Sequence, residues 1–141
     1  MVLGSLYLHT RTLTAAALFA SLVPGFLIMA LAVVNAIPDY HQDRLVGKRN
    51  LVVRLGRRRA VHLYVGLAAA GLVVAAIGVA AGVFPPACLA ALLAVPLLVA
   101  SGRCAMRTYE SPREFILAVR SIVSCYMVAV LLFTCGVLWP V

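Results

Sequence analysis

Uncharged stretches dominate the chain and divide it into four apolar segments. Residues 12–38 contain no charged side chain, and neither do residues 60–102. A helix needs about 20 apolar residues to cross a hydrocarbon core. The first stretch therefore predicts one membrane span, and the second, which is broken by Pro85 and Pro86, predicts two. A fourth span opens at Ser111-Pro112-Arg113-Glu114, where a capping Ser, a Pro at the first helical position and a Glu at the third indicate a helix start.

These boundaries predict an all-α fold, a polytopic transmembrane helical protein with one transmembrane domain over residues 1–141. We expect the four spans at about residues 12–37, 60–83, 86–102 and 113–138, with a motif-bearing loop at residues 38–59. The third span is the shortest, and Pro96 predicts a kink within it that neighbouring helices must accommodate.

Composition agrees with a membrane protein and excludes a water-soluble domain. Hydrophobic residues make up 65% of the 141 residues, charged residues 11%, and the mean hydropathy is +1.08. A soluble domain of this size buries only about two thirds of its chain surface, too little to hide so many apolar side chains. The four cysteines include no Cys-x-x-Cys pair, so neither a metal site nor a disulfide framework is expected from them.

Basic residues are concentrated in two of the three connections between spans. Of the 12 Lys and Arg, residues 36–59 contain seven and residues 102–114 contain three, whereas the turn between the second and third spans contains none. Basic loops of membrane proteins remain in the cytoplasm. The formal charge of +8 therefore indicates orientation rather than nucleic-acid binding. We expect a protein integral to a bacterial inner membrane, with both basic loops cytoplasmic.

The only two aspartates, Asp39 and Asp43, lie four positions apart directly after the first span. On a helix continuing past Pro38 they share one face, with Asn35 and Gly47 one turn to either side. Pro38 is compatible with this arrangement if it starts a new helical segment or kinks the span. Two carboxylates this close repel each other unless a cation shares the site. Mg²⁺ suits them, since it is held by one or two carboxylates together with water and phosphate oxygens.

A second group of charges follows the aspartates. Lys48 and Arg49 come directly after Gly47, which permits close backbone approach, and they are predicted to contact a phosphate-rich ligand. The run from Arg57 to Arg59 is interpreted as an orientation signal only, and Tyr40 and Tyr64 as interfacial anchors. Acids for magnesium, bases for diphosphate and an adjoining hydrocarbon space together favour heterolysis of a lipid diphosphate.

Residues 35–56, Asn-Ala-Ile-Pro-Asp-Tyr-His-Gln-Asp-Arg-Leu-Val-Gly-Lys-Arg-Asn-Leu-Val-Val-Arg-Leu-Gly, closely resemble the second aspartate-rich motif of the UbiA superfamily of intramembrane aromatic prenyltransferases. The sequence of this motif is most similar to that of the MenA-type branch, whose members make quinones. Members of the family have nine spans with this motif after the sixth, so the four spans here resemble the last four of a nine-helix bundle. Asn50 stands where many relatives have Thr.

The resemblance implies a prenyltransferase that moves a polyprenyl chain from its diphosphate to an aromatic acceptor such as dihydroxynaphthoate or hydroxybenzoate. Asp39 and Asp43 would be the catalytic residues that ligate magnesium, and Lys48, Arg49 and Asn35 would bind the diphosphate. The family's first aspartate-rich motif is absent from this sequence. We therefore expect the C-terminal half of such an enzyme, incomplete alone, whose partner would be an N-terminal half carrying that motif.

Two other functions compete with this one. A noncatalytic membrane protein could use the same basic loop to bind anionic lipid or a partner, although lipid attachment gains nothing from paired acids. A phosphatidyl-group transferase is disfavoured because its motif needs further aspartates upstream, and residues 1–38 contain none.

Overall fold

The computed structural model describes Gly4, Tyr7, Leu8, Arg11, Thr12 and residues 14–138. Within these residues every regular element is helical and no strand occurs, which confirms the predicted all-α class. The predicted domain limits at residues 1 and 141 lie outside the described residues.

Four helices are long and apolar enough to cross a membrane, as the sequence predicts. The first, α1, spans Ala15–Asn35, and its first turn is capped by the hydroxyl of Thr14, which accepts a hydrogen bond from the Ala17 N–H at 3.2 Å. Two short helices follow, α2 (Tyr40–Leu45) and α3 (Leu51–Leu55). The remaining long elements are α4 (Arg57–Ala80), a 3₁₀ segment (Pro86–Ala94) that continues into α5 (Val95–Thr108), and α6 (Pro112–Leu138).

The long helices form an up-and-down bundle. Helix α4 packs against α1 and against the third span, and α6 packs against the third span and α1. The connections at residues 36–56 and 109–111 therefore lie at one end, and the turn at residues 81–85 lies at the other. Alanine is frequent among the buried residues, and small side chains let helix backbones approach closely in a membrane. Examples on four different elements are Ala30, Ala68, Ala91 and Ala129.

Pro96 marks a change of helix type within the third span. The chain is 3₁₀ up to Ala94 and α-helical from Val95, so Pro96 occupies the first turn of α5, where its missing N–H is tolerated. Helix α5 continues past residue 102 to Thr108. Arg103 and Arg107 consequently lie on its last two turns, and the connection to α6 is only three residues long.

Polar and steric contacts hold the bundle together at both ends. Ser101 donates its hydroxyl proton to the Ala118 carbonyl at 2.8 Å. Because that proton is used, the Tyr64 hydroxyl, which lies 3.2 Å from Ser101 Oγ, is the donor in the hydrogen bond between these two hydroxyls. Tyr64 is fully buried, which differs from its predicted role as an interfacial anchor. At the other end, Gly136 lies so close to the 3₁₀ segment that a Cβ would stand 2.7 Å from the Cys88 backbone.

Candidate functional site

The aspartate-bearing segment is a short helix that restarts after a turn. Helix α1 ends at Asn35, residues 36–39 form turns, and α2 begins after Asp39. Pro38 is thus accommodated by starting a new helical segment rather than by kinking α1. The Asp43 N–H donates to the Asp39 carbonyl at 2.9 Å, which places the two aspartates one helical turn apart.

Asp43 lies at the centre of a hydrogen-bonded cluster. Its side chain is only 12% exposed, and each carboxylate oxygen has its own donor. The Lys48 ammonium donates to Oδ1 at 2.7 Å, and the Asn50 amide nitrogen donates to Oδ2 at 2.6 Å. Gly47, with φ of +74°, reverses the chain after α2 and brings Lys48 back to Asp43. A buried carboxylate needs such partners, because an unpaired charge there would be costly.

The acidic neighbours of Lys48 stabilise its charged form. The hydrogen bond to Asp43 and the charge of Asp43 raise the pKa of the Lys48 ammonium above its ordinary value, and the charge of Asp39 adds to the increase. The ammonium is largely exposed, with 64% of the side chain accessible. It therefore neutralises Asp43 from the open side of the cluster, next to Asp39.

Asn50 is the residue whose role the sequence interpretation missed. Its Oδ1 accepts the Val53 N–H at 2.8 Å and so caps α3, while its amide nitrogen binds Asp43. One side chain thus joins the start of α3 to the acidic cluster. The sequence carried a signal for half of this role, since Asn directly before an apolar helical run is a preferred N-cap residue.

The other predicted site residues lie at the surface. Asp39, Asn35 and Arg49 are exposed, and none of their side chains forms a hydrogen bond or ion pair with another described residue. The structure therefore brings Asp43 and Lys48 into contact, places Asp39 one turn away, and leaves Asn35 and Arg49 without contacts to either carboxylate.

The donor set accommodates a hard cation only in part. The Asp39 carboxylate has no hydrogen-bond partner among the described residues, and each Asp43 oxygen has one lone pair left after its hydrogen bond. No cluster of three or more His, Cys, Asp or Glu occurs among the residues that the structure describes. A divalent ion here would take its remaining ligands from water and phosphate, which is how Mg²⁺ is commonly held.

An aromatic and basic groove adjoins the acidic cluster. The Arg57 guanidinium lies 5.5 Å from the centroid of the Tyr40 ring, and it donates a hydrogen bond to the Glu110 carbonyl at 3.3 Å. The groove has a volume of about 330 Å³ and is lined by Tyr40, Leu55, Gly56, Arg57, Arg58, Arg59 and Tyr109. Arg57 thus differs from Arg58 and Arg59 in making specific contacts across the end of the bundle.

Comparison with known proteins identifies the family of this chain. The profile of the UbiA prenyltransferase family matches residues 1–123. The 1,4-dihydroxy-2-naphthoate octaprenyltransferase of Escherichia coli (strain K12) is 35% identical over 109 residues, which cover 77% of this chain and 35% of that protein. The chain thus matches about a third of the length of this relative. No solved structure gives a significant match. The chain belongs to the UbiA prenyltransferase family.

Proposed function

We propose that this chain forms the diphosphate-binding part of an intramembrane prenyltransferase of quinone biosynthesis. The reaction transfers a polyprenyl chain from its diphosphate to an aromatic acceptor such as dihydroxynaphthoate. The observation that carries the proposal is Asp43, a buried carboxylate held by Lys48 and Asn50, with the exposed Asp39 one turn away. This cluster lies at the end of four apolar helices, where a lipid diphosphate can place its charged head beside its hydrocarbon chain.

In this proposal Asp39 and Asp43 hold Mg²⁺, whose charge stabilises the departing diphosphate. Lys48 and Arg49 bind the diphosphate oxygens, and Asn35, at the end of α1, supports the site. Asn50 keeps the Asp43 carboxylate in place through its second oxygen. The family's first aspartate-rich motif, on an N-terminal half, completes the site, and both basic connections face the cytoplasm of a bacterial cell.

The test is a chimera with the Escherichia coli relative, in which the corresponding region is replaced by residues 1–123 of this chain, the range that the family profile matches. Membranes containing the chimera are expected to transfer the octaprenyl group to 1,4-dihydroxy-2-naphthoate only with Mg²⁺ present. Asp39→Asn and Asp43→Asn should each lower turnover at least about 100-fold, because each removes a charge that balances the metal ion. Product is measured by extraction and chromatography.

Glu114→Gln is the matched control, since it removes an exposed carboxylate at the same end of the bundle and should leave turnover unchanged. Full turnover in the Asp39 or Asp43 variant would refute the metal assignment. If the chain is instead a noncatalytic protein that binds anionic lipid, removing either acid should strengthen its attachment to vesicles of anionic lipid.

A further inference from the structure

Helix α2 has few ways to remain folded. It is six residues long, and isolated helices of that length are unstable in water. Its C-terminal half is held by the bonds from Asp43 to Lys48 and Asn50. At its N-terminus, Asp39 makes no side-chain capping bond. At this end the Tyr40 N–H donates to the Ile37 carbonyl at 3.3 Å, and the Tyr40 ring packs against the core and faces Arg57.

Arg57 connects α2 to a distant part of the chain. Its guanidinium faces the Tyr40 ring and also donates to the carbonyl of Glu110, in the connection between α5 and α6. A planar guanidinium can stack on a ring and donate a hydrogen bond in its own plane at once, which an ammonium does less well. Arg57 is half-buried, whereas the side chains of Arg58 and Arg59 are exposed and make no ion pair or hydrogen bond within the described part of the chain.

We propose that Arg57 is a positioning residue that holds the N-terminal end of α2, and with it Asp39, against the connection between α5 and α6. The link to catalysis depends on the function proposed above, but the contact itself does not. Because Tyr40 directly follows Asp39, loss of the Arg57 contact frees the backbone that sets the spacing between the two carboxylates. Arg57 acts through Tyr40 and does not touch the substrate.

Hydrogen exchange of the whole chain in detergent micelles tests the contact. Arg57→Ala should speed exchange of the amides at residues 40–48 about tenfold, since it removes a cation–π contact and a charged hydrogen bond. Arg58→Ala makes the same change of charge one residue away and should leave these amides unaffected. Equal exchange in the two variants would overturn the proposal.

Tyr40→Leu approaches the same contact from the other side. It should speed exchange at residues 41–48 to a similar extent, and the double variant with Arg57→Ala should add little, because each change removes the same interaction. Fully additive effects would contradict the pairing.

Kinetics of the chimera test the consequence for the site. Arg57→Ala should raise KM for octaprenyl diphosphate about tenfold and change KM for the aromatic acceptor much less, and Arg57→Lys should give an intermediate value. An unchanged KM for the diphosphate would refute the positioning role. A chimera that is inactive with every native residue in place would instead refute the proposed function, and hydrogen exchange would then decide the Arg57 contact alone.

Discussion

At the scale of single residues, Lys48 and Asn50 stabilise the Asp43 carboxylate in different ways. Lys48 supplies a charge from the exposed side, whereas Asn50 supplies a fixed donor that is also committed to capping α3. A hydroxyl of Thr at residue 50 has one proton to donate and could replace the bond to Asp43 or cap the helix, but its shorter reach makes both together difficult. Asn therefore ties the geometry of the acidic cluster to the folding of a neighbouring helix.

The ion pair between Lys48 and Asp43 predicts a definite response to pH. The ordinary pKa of Lys is 10.5, and it is raised in the folded protein by Asp43 and Asp39. A raised folded-state pKa means that the contribution of the Lys48 charge is fully present from neutral pH up to about pH 10.5 and disappears as pH rises through the folded-state value. The Tm of the native chain should thus exceed that of Lys48→Gln at neutral pH, and the difference should shrink above about pH 10.5.

Thermal unfolding in micelles, followed by circular dichroism, measures this difference. Lys48→Arg is the control, because a guanidinium stays protonated throughout this range and should preserve the advantage over Lys48→Gln. A constant difference between the native chain and Lys48→Gln up to about pH 12 would show that the pair contributes nothing.

At the scale of elements, the close contact between α6 and the 3₁₀ segment depends on a missing side chain. A Cβ at Gly136 would meet backbone atoms of Ala87 and Cys88, which cannot rotate away as a side chain can. The two elements would have to separate to accept it. Gly66 in α4 offers a contrast, because nothing lies within 4 Å of its Cβ position.

Gly136→Ala should therefore lower the free energy of unfolding by about 1–3 kcal/mol through overpacking. Gly66→Ala should be neutral or stabilise by up to about 1 kcal/mol, since Ala is the better helix former. Unfolding of the purified chain by titration with SDS measures both. A Gly136→Ala variant as stable as Gly66→Ala would show that the two elements can separate freely at this end.

The elements also show what could be foreseen from the sequence. Hydropathy is a local property, so the four long helices were predictable, as was the start of α6 at Pro112. The one-turn spacing of the aspartates follows from helix geometry and was equally predictable from the sequence. The distinction between Arg57 and Arg58 was not, because it depends on the direction in which α4 leaves Gly56, whose φ is +82°, and on the later arrival of Glu110 at the same place.

At the scale of the whole molecule, charge is distributed along the bundle axis. Residues 36–59 and 102–114, at the end with the aspartates, contain ten of the 12 Lys and Arg. The turn at residues 81–85, at the opposite end, has no charged residue. Crossing a bilayer is costly for basic residues, so this asymmetry favours one orientation strongly.

Cysteine labelling tests the orientation. In a chain whose four cysteines are replaced by alanine, Val46→Cys and Ala81→Cys place exposed thiols at opposite ends of the bundle. A membrane-impermeant maleimide added to spheroplasts should label only Ala81→Cys, and the same reagent added to inverted vesicles should label only Val46→Cys. The reverse pattern would place the aspartates outside the cell and contradict the proposed function.

The hydroxyl chain from Tyr64 through Ser101 to the Ala118 carbonyl constrains how the bundle can move. Alanine-rich surfaces offer little resistance to axial sliding or rotation, but lipid provides no substitute partner for a hydroxyl that loses its bond. Three helices are thereby fixed at one common depth. We therefore expect any widening of the end that carries the aspartates to occur in the helical turns between these three residues and the connections, while the rest of the bundle stays rigid.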